Sequence, residues 1–170
     1  MLFRSWIKQR HWVLDVIGAI YSDWYDPWQF LISTRNQKIT FNRHQHNDSD
    51  EWWSLESTNV TLDNWTHVAV TWDQVTGSVF IYADGKQIGY KSLTPGSTFY
   101  QPTGSRYQVG NDGHYDNHQF NGSVMDLYVF GAALSPDQIN RLRGETQQTV
   151  VQNCYRKTLL LALSIRNLVG

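Results

Sequence analysis

The chain has 170 residues, enough for one domain, or for one domain with a short tail. Its net charge of −1 at pH 7 leaves no electrostatic footprint for nucleic acid or for an anionic membrane surface. Aromatic residues make up 14% of the chain, which argues against disorder, and no apolar run reaches the roughly 18 residues of a transmembrane helix.

The first third of the chain is predicted to form β-strands separated by polar loops. Ser5–Lys8 has the pattern of a strand, and the charges of Arg4 and Lys8 lie where a signal peptide would need its apolar region. The N-terminus is therefore not expected to be a signal peptide. Further strands are predicted over Val13–Tyr21, Trp28–Ser33, Lys38–Arg43 and Glu51–Glu56.

Tryptophans in this region are candidates for ligand contacts. Tyr21–Trp28 is predicted to be a polar, proline-containing aromatic loop, and in a strand one of the adjacent Trp52 and Trp53 would face outward. Exposed indole rings can stack on sugar rings or anchor a protein partner. We therefore predict Trp24, Trp28 and Trp53 as ligand-binding residues. The alternative is that they pack in a satellite core.

The middle of the chain carries the clearest hairpin signal. His67–Trp72 and Ser78–Tyr82 are β-branched and aromatic runs, and Asp84–Gly85 separates the second run from Gln87–Tyr90. Asp-Gly between two apolar runs predicts a type I′ turn, which requires positive φ at both central residues. The core is expected to include three tryptophans, Trp6, Trp65 and Trp72.

Two more strands and one helix complete the pattern. Strands are predicted over Ser105–Gly110 and Asn121–Phe130, and the second is almost continuously apolar, as in a strand buried on both faces or at a bend. Leu134–Ile139 has Ser at the N-cap, Pro at the first helical position and Gln three residues after the cap, which predicts a helix that stops at Gly144. One strand every 8–12 residues or so favours a β-sandwich or barrel.

These segments, in this order, resemble the motifs of laminin G-like and pentraxin-like domains. The matching pieces are Ser5–Lys8, Asn64–Asp73, Phe80–Lys86, Tyr107–Gly110, Phe120–Phe130 and Leu134–Ile139. The resemblance implies an all-β, concanavalin A-like jelly-roll sandwich of two antiparallel sheets over residues 1–146, with one short helix near 135–143. It also implies additional strands before Ser5, so we expect a fragment of a larger multidomain protein. The alternative is that the tail after Gly144 fills the gap. Residues 147–170 are expected to be a tail, either a short helix or disordered.

The loop that follows Ser105–Gly110 is the candidate metal site. Pentraxin-like domains have part of their calcium site in this loop, so the resemblance implies Ca²⁺ as a cofactor. Calcium prefers six to eight oxygen ligands. The loop offers side-chain oxygens at Asn111, Asp112, Asp116 and Asn117. The alternative is a solvated turn without metal.

No catalytic constellation is evident in the sequence. Glycosidases need two carboxylates about 5–9.5 Å apart across the scissile bond, whereas glutamate occurs only at Glu51, Glu56 and Glu145. Glu51 and Glu56 are five residues apart and would lie on opposite faces of a regular strand. We therefore predict that the chain is not an enzyme.

The remaining signals concern the compartment and the role of the chain. A single cysteine, Cys154, rules out an internal disulfide. The N-glycosylation sequon N-x-[ST] occurs at Asn47, Asn59, Asn64 and Asn121, which mildly favours a secreted protein.

We predict an extracellular or cell-surface adhesion module that binds a glycan or an extracellular protein through its rim loops, with or without calcium. One alternative is a structural spacer domain of a larger matrix or cell-surface protein. Another is an accessory domain of a glycan-degrading enzyme. We expect no nucleic-acid partner and no membrane span.

Overall fold

A computed structural model of the chain describes residues 2–9, 18–24, 30–44, 52–96, 106–111 and 118–144. These residues form ten strands and one helix, and each strand predicted from the sequence overlaps one of the ten. The elements are β1 (Leu2–Gln9), β2 (Gly18–Trp24), β3 (Phe30–Arg35), β4 (Lys38–His44), β5 (Trp52–Glu56), β6 (Thr66–Asp73), β7 (Ser78–Ala83), β8 (Lys86–Ser92), β9 (Arg106–Val109), β10 (Gly122–Phe130) and α1 (Pro136–Gly144). The expected tail, 147–170, lies outside the described residues.

The strands form two antiparallel sheets of five strands each, as expected of a jelly-roll sandwich. The first sheet has the order β10-β1-β6-β7-β8, and the second sheet has the order β5-β4-β3-β2-β9. Their inner faces meet in one core, because alternate residues of a strand point to the same side of its sheet. The buried residues of this core are Phe3, Ile7, Ile32, Ile39, Phe41, Leu55, Leu62, Val68, Val70, Trp72, Val79, Ile81 and Phe120.

Two hairpins have two-residue turns with positive φ at both central positions. In the β7–β8 hairpin, φ is 48° at Asp84 and 78° at Gly85, which confirms the predicted turn. In the β3–β4 hairpin, φ is 49° at Asn36 and 62° at Gln37. The second turn was expected only as a polar loop, because its sequence lacks the glycine that usually marks this turn type.

Helix α1 packs on the outer face of the first sheet. Its buried Ile139 joins a small cluster with Ala69 and Tyr82. The helix begins as predicted, because the Ser135 N–H donates to Gln138 Oε1 over 2.8 Å and the Gln138 N–H donates to Ser135 Oγ over 3.3 Å. This reciprocal capping box satisfies two N–H groups that lack partners within the helix.

Strand β10 lies at an edge of the first sheet and is not buried on both faces. Its residues are half-buried, except for the exposed Val129. A bulge interrupts its pairing with β1, and Asp126 in the bulge has a φ of 51°. Of the two interpretations of this apolar segment, the bend is confirmed and burial on both faces is wrong.

Two expectations about aromatic residues are also wrong. Trp65 precedes β6 and is 41% exposed, so it does not belong to the core. Tyr21–Trp24 is not a loop, because it belongs to β2 and pairs with β9. Strands β2 and β9 are far apart in sequence, and local composition gives no sign that they pair.

One side of the sandwich is closed between β5 and β8, which are edge strands of the two described sheets. The Thr58 N–H donates to the Ile88 carbonyl over 2.9 Å, and Lys91 Nζ donates to the Ser54 carbonyl over 3.0 Å. These hydrogen bonds join the two sheets along an edge where each described sheet ends.

Candidate functional site

The predicted metal loop begins directly after β9. Gly110 has a φ of 78°, Asn111 is half-buried, and the Phe120 N–H donates to the Gly110 carbonyl over 2.9 Å, which holds the two ends of the loop together. The other three predicted ligands lie outside the described residues; they are Asp112, Asp116 and Asn117. Within the described ranges, no three His, Cys, Asp or Glu side chains are grouped as metal ligands. The calcium site stays a prediction.

The tryptophans predicted to bind a ligand belong to different parts of the second sheet. Trp24 ends β2 with its backbone opposite Arg106, and Trp53 lies in β5 with its backbone opposite Arg43. Because β3 and β4 separate these strands, their backbones are about 14 Å apart. The structure describes neither indole ring, and Trp28 lies outside the described residues. The ligand-binding roles stay predictions.

Three of the four sequon asparagines are accessible. Asn59, Asn64 and Asn121 are exposed, and Asn47 lies outside the described residues. In the sequon of Asn64, the Thr66 hydroxyl donates to the Asn64 carbonyl over 3.3 Å. A glycan can be attached only to an exposed asparagine, so the fold permits glycosylation at these three positions. Glycosylation itself stays a prediction.

A groove that the sequence analysis did not predict lies between the first turn of α1 and the outer face of the first sheet. Its volume is about 390 Å³. We call it the helix-side groove; it is lined by Thr71, Asp73, Thr76, Ser78, Phe80, Tyr82, Gln87, Ala133, Leu134, Ser135 and Pro136. Hydroxyl and amide side chains are frequent among these residues, and Asp73 is the one carboxylate among them.

Aromatic rings form one wall of the helix-side groove. The ring centroid of Phe80 lies 6.1 Å from that of Tyr82 and 5.0 Å from that of Tyr90. Tyr90, on the neighbouring β8, is 53% exposed and extends this wall beyond the groove. Burial raises the pKa of the Tyr82 phenol, so this hydroxyl is protonated at neutral pH and can donate a hydrogen bond.

Asp73 is fixed at the end of β6 by the turn that follows it. The Thr76 hydroxyl donates to Asp73 Oδ2 and the Val75 N–H donates to Oδ1, each over 2.9 Å. These hydrogen bonds, the one from Thr76 foremost, lower the pKa of Asp73, so the carboxylate is ionised at neutral pH. Its remaining lone pairs can accept a hydrogen bond from a ligand.

A second cavity, which we call the rim cleft, adjoins the helix-side groove. It has a volume of about 640 Å³ and is lined by Trp72–Val75 and Val129–Ala133. Its lining is mainly apolar, and Val75 and Val129 are 81% and 43% exposed. Asp73 and Ala133 line both cavities, so a ligand in the groove could extend into the cleft past a single carboxylate.

A buried basic cluster lies under the last turn of α1. Arg4 is 2% exposed; its guanidinium lies 4.4 Å from the centroid of the Tyr128 ring, and its Nη1 donates to the Leu142 carbonyl over 3.4 Å. His67 is fully buried, and burial together with the charges of Arg4 and Arg143 lowers its pKa to about 4. Arg4 thus faces the negative end of the helix dipole, beside an imidazole that is neutral at pH 7.

The alternation of β7 was the sequence signal for the helix-side groove. Val79 and Ile81 are buried in the core, and the alternate residues Ser78, Phe80 and Tyr82 line the groove. The sequence predicted this strand and the helix separately. It did not predict that the helix would leave this part of the sheet open, because the position of α1 depends on tertiary packing around Ile139.

Comparisons with known proteins agree with the fold. A laminin G-like family model, described as the concanavalin A-like lectin/glucanases superfamily, matches residues 3–140. The Homo sapiens adhesion G protein-coupled receptor D2 is 31% identical over 86 residues, which are 46% of this chain and 9% of the receptor. A mucosal pentraxin homolog from Homo sapiens is 28% identical over 99 residues, which are 56% of this chain and 64% of the homolog. The chain therefore spans less than two thirds of the length of either relative.

Among solved structures, the CBM40 domain of the Ruminococcus gnavus IT-sialidase, bound to α2,3-sialyllactose, is similar to this chain. The TM-score is 0.68 at 17% sequence identity, and the match covers 84% of this chain and 81% of that domain. This likeness supports the sandwich fold. In the part of the chain that the structure describes, no helix has both the length and the apolar character needed to cross a bilayer.

Proposed function

Since the chain belongs to the concanavalin A-like lectin/glucanases superfamily over residues 3–140, we propose that it is a non-catalytic module that binds a glycan in the helix-side groove. The observation that carries this proposal is the combination, in one groove, of aromatic rings with hydroxyl and amide side chains. A sugar ring presents an apolar face and an edge of hydroxyl groups. A surface of this kind can therefore stack on the face and hydrogen-bond the edge.

The acid content of the groove favours binding without catalysis. Among the described residues that line the groove, Asp73 is the one carboxylate. Most glycosidases use a pair of carboxylates about 5–9.5 Å apart, one as the acid and one as the base or nucleophile. A single fixed carboxylate can orient a sugar but does not supply both roles.

We propose that the module acts outside the cell or at the cell surface, within a longer protein. One relative is named as an adhesion receptor and another as a pentraxin homolog, and the CBM40 domain was solved with a sialylated sugar. The exposed sequon asparagines, Asn59, Asn64 and Asn121, are consistent with passage through the secretory pathway.

Replacing Tyr90 by alanine is expected to weaken glycan binding about three- to tenfold. An aromatic contact contributes about 0.5–1.5 kcal/mol beyond the area that it buries, and this variant removes one such ring. Because Tyr90 is 53% exposed, its loss should change stability little. Binding partners would be identified on a glycan array, and the affinities of wild type and Tyr90→Ala would be measured by titration calorimetry.

The matched control is Trp65→Ala. Trp65 is also an exposed aromatic residue, but it lies at the other end of β6 from the groove. It precedes the first residue of this strand, whereas Asp73 in the groove is the last residue of the strand. The control should bind the same glycan with wild-type affinity. Equal losses in both variants, or an array on which the wild type binds no glycan, would contradict the proposal.

We further propose a separate calcium site in the loop after β9. Asn111, Asp112, Asp116 and Asn117 supply oxygen ligands of the type that calcium prefers. The backbone hydrogen bond between Phe120 and Gly110 supports the proposal, because it brings the ends of the loop together. The resemblance to pentraxin-like domains favours the same position.

Calcium at a hundredfold excess over its Kd is expected to raise the free energy of unfolding by about 2.7 kcal/mol, because it would bind the folded state alone. Thermal unfolding with calcium and with a chelator would measure this difference. Asp112→Ala should abolish it, whereas Asp63→Ala, at an exposed position outside the loop, should not. Identical transitions with calcium and with chelator would rule out the site.

A further inference from the structure

The helix-side groove and the rim cleft meet at Asp73 and Ala133. We infer that the two cavities together select neutral glycans with an N-acylated amino sugar, whose amide N–H donates to Asp73 while its acyl group enters the rim cleft. This inference rests on the proposed glycan-binding function and names the class of ligand for that site.

Asp73 is suited to accept an amide N–H from a ligand. The Thr76 hydroxyl and the Val75 N–H hold its two oxygens in place, so the acceptor is oriented before a ligand arrives. Hydrogen bonds to an ionised acceptor are shorter and stronger than those between neutral groups. A sugar with a hydroxyl in place of the amide can also donate to Asp73, so the preference for N-acyl sugars comes from the acyl group in the rim cleft.

The rim cleft is suited to the acyl group. Val75 and Val129 expose apolar surface on its walls, and Gly131–Ala133 adds small residues that leave the cleft open. Its volume of about 640 Å³ is far larger than one methyl group, so acyl chains longer than acetyl also fit. Each further methylene that enters the cleft should raise affinity by up to about fourfold.

The same carboxylate disfavours acidic glycans. Among the described residues that line either cavity, Asp73 is the one formally charged side chain, and no basic side chain accompanies it. A sialic or uronic acid in the groove would bring two negative charges together. The expected ligand class thus differs from the sialyllactose in the CBM40 structure.

The test is a set of paired affinities measured by titration calorimetry. N-acetylglucosamine and N-acetylgalactosamine should bind about tenfold more tightly than glucose and galactose. Lactose should bind more tightly than α2,3-sialyllactose, and the difference should shrink at high salt because screening weakens charge repulsion. Asp73→Asn keeps the shape and one acceptor oxygen. It should bring the lactose-to-sialyllactose ratio to within about threefold of one, since it removes the negative charge, and it should leave the N-acyl preference that the rim cleft provides.

A second series needs no variant and remains decisive if Asp73→Asn does not fold. N-acetyl-, N-propanoyl- and N-butanoylglucosamine should bind the wild type with increasing affinity. Affinities that fall along this series, or a lactose-to-sialyllactose ratio that Asp73→Asn leaves unchanged, would overturn the inference. If glycans bind and Tyr90→Ala weakens them, but N-acyl sugars are not preferred, only this inference fails. If the wild type binds no glycan, the proposed function fails first.

Discussion

Acidification from pH 7 to pH 4 is expected to lower the free energy of unfolding by about 3 kcal/mol through His67 alone. In the unfolded chain the pKa of this histidine is 6.5, and in the folded chain it is lowered to about 4. The folded state therefore binds a proton less readily than the unfolded state. The stabilisation is fully present above pH 6.5 and is lost as the pH falls toward 4, by up to about 1.4 kcal/mol per pH unit.

The physical cause is a buried ring surrounded by positive charge. His67 packs edge-on against Trp6, with ring centroids 5.3 Å apart, and Arg4 of β1 and Arg143 of α1 add positive potential. Asp84 Oδ1 accepts the backbone N–H of His67 over 3.0 Å and does not contact the imidazole ring through this hydrogen bond. A proton on the ring would add a third cation in a site with little solvent.

Urea unfolding at several pH values between 4 and 7 would measure the effect. His67→Phe is the comparison variant, because it retains a flat buried ring next to Trp6 but cannot take up a proton. The wild type should lose about 3 kcal/mol more than this variant over the range, since protonation of carboxylates affects both proteins equally. Parallel pH profiles for the two proteins would contradict this assignment.

Gly77→Ala is expected to destabilise the fold by about 2–5 kcal/mol. Gly77 has a φ of 72°, a conformation that costs other residues about 1–2 kcal/mol. An added Cβ would lie 2.2 Å from the carbonyl oxygen of Leu93, a backbone atom that cannot rotate away. The hydrogen bond from the Leu93 N–H to the Gly77 carbonyl, 2.8 Å long, fixes this approach, so overpacking adds about 1–3 kcal/mol.

Gly96→Ala is the control that separates the two contributions. Gly96 has a φ of 79°, but a Cβ there would have no atom within 4 Å. It should therefore lose only the conformational part, about 1–2 kcal/mol. Both substitutions restrict the unfolded chain equally, so this effect cancels in the comparison. Equal changes in the free energy of unfolding of the two variants would show that the Leu93 contact is unimportant.

Features set by neighbouring residues were predictable from the sequence. The turn at Asp84–Gly85 and the capping box at Ser135 depend on residues within four positions of one another, and the structure contains both. The position of a segment in a sheet depends on distant partners instead. The sequence therefore predicts a loop at Tyr21–Trp24 and a buried Trp65, and both predictions are wrong.

The candidate site was less predictable than the fold for the same reason. From the sequence, we predict binding sites in loops rich in aromatic or acidic residues. The helix-side groove instead collects residues from β6, β7, β8, the turn between β6 and β7, and the start of α1 with the segment before it. Asp73 is an ordinary turn residue in the sequence. It lines both cavities only because α1 does not cover the part of the sheet beside it.

The hydrogen bonds between β5 and β8 have a consequence for how copies of this domain can be arranged. An open strand edge is a template on which a second chain can pair, and lysine on such an edge opposes this pairing. Strand β8 carries Lys86 and Lys91, and Lys91 also donates to Ser54 on the other sheet. This edge is therefore poorly suited to strand exchange between copies. Weak binding sites gain avidity when several copies of a domain are held close together. Because this edge opposes strand pairing, such copies can lie close together without forming a common sheet.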